Sequence, residues 1–182
     1  MPDGNMVSTG PGLIYAATLG TVEPIDSTTA LPAAWRPIGF TNDGSVFNSA
    51  TTWNGIFAEE ALNAIRMEPN QTVETFAFAA LESTKQNLAL ALNKGAAVAN
   101  DAVALSPSAA AAFQRVMLVH QSVAGARLLI RRCVQTGAIA LTNKKSPDKK
   151  MIGMVFTLED VSPLTTWTLL PASAPAALVG AI

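Results

Sequence analysis

His120 is the only histidine and Cys133 the only cysteine in a chain of 182 residues, so a Cys-His nucleophile would have to be built from this pair. Such chemistry needs thiol and imidazole to converge with a third, orienting group, and no signature surrounds either residue. Their contexts read as a buried strand cysteine and a histidine at a strand end. A single cysteine forms no intrachain disulfide and no cysteine-based zinc site. Glu59 and Glu60 are adjacent, and neighbours on a strand face opposite sides, so they are not a ready acid and base. No acidic run has the spacing of a calcium loop. TGPG at 9–12 precedes a strand, whereas a phosphate loop leads into a helix N-terminus. Asn70, Gln71 and Thr72 form a glycosylation sequon, but the opening MPDGNMVSTGPG has no signal-peptide patterning to support secretion. No catalytic residue, metal ligand or cofactor follows from these residues.

The charged groups are more informative. Residues 131–156 hold six of the twelve lysines and arginines. Pro147 suits the second position of a turn, which crowds Lys144, Lys145, Lys149 and Lys150 around Asp148 at one loop tip. Nucleic-acid surfaces usually add stacking aromatics, and no aromatic lies between Phe113 and Phe156. That leaves a solvated tip or a contact with an acidic surface. Residues 1–110 carry ten acids and four bases while residues 111–182 carry three acids and eight bases, so another copy of the chain offers such a surface. Charged residues are only 14% of the chain, against about 25% in ordinary domains. Part of an apolar exterior is therefore expected to be covered by other chains.

The elements that must position these groups are mostly strands. GLIYAATLG reads as a strand between glycines, and WRPIGFTNDG as a strand entering a turn at Asn42, Asp43 and Gly44. Residues 46–67 read as a strand pair or a long excursion. TVETFAFAAL alternates, with Glu74, Phe76 and Phe78 on one side. A helix is expected near 83–94, with Ser83 as N-cap, Leu88, Ala91 and Leu92 as its stripe, and Gly95 as the stop. FQRVMLVHQ, ARLLIRRCVQTG, AIALTN, KMIGMVFTL and TTWTLL follow as short strands, with helix an alternative over 109–119. The sum is a mainly β, antiparallel sandwich or barrel-like domain with one flanking helix. It divides into a flexible arm at 1–11, a β domain at 12–160 and a C-terminal strand or arm at 161–182. The last segment is uncharged but broken by Pro, Ser and Thr, a poor membrane span and a better arm for packing on a neighbour.

Three stretches in order resemble the major tail proteins that form the tail tube of long, non-contractile-tailed bacteriophages. GLIYAATLGT with LPAAWRPIGFTNDGS resembles the family's opening through Trp35, Pro37, Gly39, Phe40, Asp43 and Gly44. TVETFAFAALESTKQNLALALNKG resembles its strand and helix unit through Lys85, Asn87, Leu88, Leu92 and Asn93. RRCVQTGAIALTNKKSPDKKMIGMVFTLED resembles its late hairpin through Arg131, Arg132, Gln135, Gly137, Asp148, Lys149, Phe156 and Leu158. Residues 46–70 and the tail after Val161 match least. The resemblance implies a structural virion protein, not an enzyme, in hexameric rings stacked into a tube through which double-stranded DNA passes unbound. The implied partners are itself, the tape-measure protein, the tail terminator and the tail-tip or baseplate proteins, with synthesis in the host cytoplasm and no membrane. On that reading Glu59, Glu68 and Glu74 are candidates for the channel face, and Lys144, Lys145, Asp148, Lys149 and Lys150 for contacts between subunits or rings.

Three other readings compete, one of them an enzyme of unknown type, which would need a pocket with convergent polar groups and which the single histidine argues against. A β-sandwich module could bind carbohydrate or protein through Trp35, Trp53 or Trp167 and would present them as an exposed platform. The tube of a contractile tail or secretion apparatus uses a related fold.

Overall fold

A computed structural model describes residues 12–57, 63–94, 113–123, 125–139, 141–142 and 151–170. Their strands are β1 Leu13–Thr18, β2 Arg36–Gly39, β3 Thr41–Ile56, β4 Arg66–Ala80, β5 Val116–Gln121, β6 Arg127–Gln135, β7 Leu141–Thr142, β8 Met151–Leu158 and β9 Trp167–Leu170, with helix α1 at Lys85–Ala91 between β4 and β5. All nine strands join one antiparallel sheet in the order β2-β1-β5-β6-β8-β4-β3, with β7 on β8 and β9 on β6. One edge of β6 is shared in tandem: residues 127–130 pair with β9 and residues 133–135 with β8.

The sheet folds over on itself. Ile14, Ala16, Leu118 and Ile130 from β1, β5 and β6 pack in one core with Phe76, Phe78, Met154 and Phe156 from β4 and β8. Phe76 and His120 lie 6.0 Å apart by ring centroid although their strands are not paired, so the two halves of the sheet face each other. The alternation Phe76, Phe78, Ala80 supplies the inward side of β4. A second cluster of Ala17, Trp35, Met117, Val119 and Leu129 covers the outer side of β1, β5 and β6.

The helix closes one end of the core, and its details differ from the sequence expectation. Its N-cap is Thr84, not Ser83, with the Thr84 side chain accepting from the Asn87 backbone N–H. Asn87, Ala89, Leu90 and Ala91 are fully buried; of the expected stripe, Ala91 is among them, Leu88 is half-buried against the core and Leu92 is the half-buried C-cap residue. Asn87 turns inward beside these apolar residues because its amide donates to the backbone carbonyls of Ile38 and Glu82 at 2.8 and 2.9 Å. Gly95 lies outside the described residues. The left-handed residue at this end is Asn93, φ 56°.

Two further expectations change. Asn42, Asp43 and Gly44 do not end a strand: β3 runs through them with a bulge between Asn42 and Ser45, and Gly44 takes φ 79°. The described part of 109–119 is not helical, since β5 starts at Val116.

Candidate assembly surfaces

The hairpin of β3 and β4 is much longer than the body it leaves. Its inner half carries Phe76, Phe78 and Ala80 into the core, while every residue from 66 to 73 on β4 is exposed. Toward the tip, Trp53, Ile56, Phe57, Ile65 and Met67 are exposed apolar side chains. A two-stranded ribbon exposed on both faces is marginal in water, so this arm calls for a neighbour. Edge strand β3 also presents 16 residues of backbone with one side unpaired among the described residues, a template for strand pairing.

The carboxylates expected at the channel face part company here. Glu74 sits where the arm leaves the body and accepts a 3.0 Å hydrogen bond from the Trp167 indole N–H. Trp167 packs edge-on against Phe47 at 5.2 Å, so β9 covers the root of the ribbon. Glu68 lies farther out and pairs with Arg66 at 3.3 Å, both largely exposed. A second bulge falls between them: Thr52 pairs with Gln71 but Trp53 with Pro69, leaving Asn70 as the extra residue. That offset places Glu68 and Glu74 on opposite sides of the ribbon, although their spacing of six would share a side on an unbroken strand. Glu59, Lys144, Lys145, Asp148, Lys149 and Lys150 lie outside the described residues.

The two arginines of the basic stretch are engaged inside the chain. Arg131 grips Glu23 with two bonds of 2.8 and 3.0 Å and reaches Thr165 and Thr168. Arg132 and Arg115 both bond Glu159. The hydrogen bonds from Arg115, ahead of the charge of Arg132, hold the Glu159 carboxyl below its usual range. Buried Arg127 donates to the backbone carbonyls of Asp26 and Thr29. Asp26 in turn accepts from the backbone N–H groups and hydroxyls of Thr28 and Thr29, and these bonds depress its pKa. Together these ties fasten residues 19–35 across the outer side of β5 and β6. At the far end of the core, the Asn93 side chain donates to the Gln135 carbonyl at 2.7 Å and accepts from its N–H at 2.9 Å, joining the helix end to β6 as a strand partner would.

Cys133 is buried, and burial pushes its thiol well up; His120 near the end of β5 is shifted down by burial. Among the described residues no three His, Cys, Asp or Glu side chains gather as a metal site. The tryptophan platform of the binding-module reading fails at Trp35, which is 3% exposed and donates its indole N–H to the Val22 carbonyl. It is core because residues 19–35 fold over it.

At the corner where β1 starts and β3 begins lies an open groove of ≈ 500 Å³, lined by Leu13, Tyr15, Phe40, Ser122 and Val123 among others. Phe40 is 72% and Val123 73% exposed.

A family model described as phage tail tube protein matches residues 1–173. The chain belongs to the phage tail tube protein family. No curated protein matches it. The role of a tail tube protein is structural, not enzymatic; it self-assembles into a tube with other tail proteins, in the tail of the virion. The match spans residues 46–70, where the resemblance was weakest, so the long arm lies within the tail tube unit. Among the described residues no helix is long and apolar enough to cross a membrane.

Proposed function

We propose that copies of this tail tube protein close into hexameric rings that stack into the hollow tube of a long, non-contractile, siphovirus-type tail, a conduit for genome delivery. The observation that carries this reading is the β3 and β4 arm, exposed on both faces beyond the body, a ribbon that is marginal alone and gains from the cover of a neighbouring copy. The tube would form around a tape-measure protein between the tail tip or baseplate and the terminator, from chains made in the host cytoplasm.

A conduit must not retain its cargo. Each wall cation that pairs with phosphate gains affinity by counterion release, so a neutral or acidic wall lets DNA slide. Glu59, Glu68 and Glu74 are the proposed sources of that wall charge; Glu68 and Glu74, leaving the ribbon on opposite sides, are to be tested one at a time. Lys144, Lys145, Lys149 and Lys150, beside Asp148, are proposed to meet the acidic half of an adjacent subunit or ring rather than DNA.

The test is negative-stain electron microscopy with light scattering over a concentration and salt series, with and without tail-tip proteins. Stacked rings or hollow tubes are expected, and a monomer that persists even with the tip proteins would overturn the reading. Reversal of the four lysine charges is expected to lower assembly and its salt sensitivity; unchanged assembly would remove the lysines from the interface. Separate Glu68→Lys and Glu74→Lys tubes show by short-DNA retention which carboxylate faces the channel.

A further inference from the structure

The arm tip and the corner groove lie at opposite ends of the same strand. Phe40 and Thr41, which line the groove, stand where β3 begins, and Ile56 and Phe57 stand where it ends. At the usual rise per residue the two sites are roughly 45–50 Å apart, so a tip cannot reach the groove of its own chain. Their surfaces match in chemistry. The tip offers Trp53, 53% exposed, and Phe57, 66% exposed, with Ile56 and Ile65 beside them. The groove offers Leu13, Tyr15, Phe40 and Val123, and its described lining carries no charge. Its volume suits a large aromatic side chain.

We propose that the hairpin tip of one copy seats in the corner groove of the next, a head-to-tail contact that inserts the Trp53 and Phe57 side chains between Leu13, Phe40 and Val123. The proposal deepens the tube reading and rests on it. A heterologous contact of this kind repeats without exhausting itself: each copy gives a tip and receives one, which generates closed rings or open filaments according to the rotation it imposes. It also explains why Phe40 and Val123 remain exposed in a chain whose other outer cluster, around Trp35, is covered by its own residues 19–35.

Disulfide trapping tests the contact at two exposed positions, where substitution spares the core. Cys133 is buried and does not compete. Phe57→Cys and Val123→Cys proteins, mixed under assembly conditions and mildly oxidised, are expected to give a reducible dimer on denaturing gels, while each alone stays largely monomeric. The chain carrying both substitutions is expected to give a ladder of multimers. Microscopy of the same samples separates the two claims. Tubes with no mixed dimer would overturn the tip-in-groove contact and leave the tube reading standing; some other occupant, residues 1–11 of the same chain included, would then hold the groove. A mixed dimer without tubes would support the contact and count against the tube. Neither tubes nor dimer, with the unsubstituted chain also failing to form tubes, would overturn both, and a Phe57→Cys dimer as abundant as the mixed one would mean tips meet tips and overturn the contact.

Discussion

The inner and outer halves of the β3 and β4 hairpin are made by the same pair of strands under opposite rules. In the inner half, Phe76 and Phe78 are locked among β8, β5 and the helix, with Phe78 stacked on Phe156 at 5.8 Å. In the outer half the ladder of backbone pairs continues to Ile56 and Arg66, yet no side chain there is buried. Backbone pairing therefore does not distinguish the halves; side-chain burial does. Folding energy is concentrated in the first and the capacity to associate in the second.

The sharpest challenge to that division is Phe76→Ala. Emptying a fully buried aromatic site is expected to destabilise the unassembled chain by about 3–5 kcal/mol, read by denaturant unfolding; a loss below 1 kcal/mol would show that the core does not hold the inner half. Asn93→Ala comes next. It removes both bonds to the Gln135 backbone and puts a Cβ-bearing residue without a polar group at positive φ, an expected cost of about 1–3 kcal/mol. Asn93→Gly should recover the backbone part of that cost, so equal losses in both variants would assign the whole effect to the hydrogen bonds. The smallest effect belongs to the arm: Trp53→Ala should change the stability of the unassembled chain by no more than about 0.5 kcal/mol while lowering tube yield in the scattering assay. A large loss in the unassembled chain would abolish the distinction between the halves.

The inner half was legible in the sequence because burial there follows a period of two: Glu74, Phe76 and Phe78 read as one side, and that side turns inward at Phe76 and Phe78 and continues to Ala80. The helix was legible in place and in part of its buried face, Ala91 and Leu88, but not in the burial of Asn87, which contributes through its amide rather than its hydrophobicity. Asn42, Asp43 and Gly44 have turn chemistry, and a bulge uses that same chemistry inside a strand. The offset at Asn70 left no local signal, so the sequence could name Glu68 and Glu74 as candidates but not the side of the ribbon from which each leaves. The grip of Arg131 on Glu23 spans 108 residues of sequence, a pairing that no local pattern announces. What made the arm hard to read was its lack of a buried side: residues 46–67 show weak alternation because neither face of the ribbon had a core within the chain to satisfy.

One quiet feature bears on how such a tail ages. The single thiol of each chain is Cys133, under the folded sheet and with its thiolate form suppressed by burial. Particles that persist outside a cell meet oxygen and peroxides, and a reactive surface cysteine repeated along a tube would staple copies at random or break their fit. Here the chain's one sulfhydryl is out of reach of oxidants, so random disulfide stapling between copies is closed off.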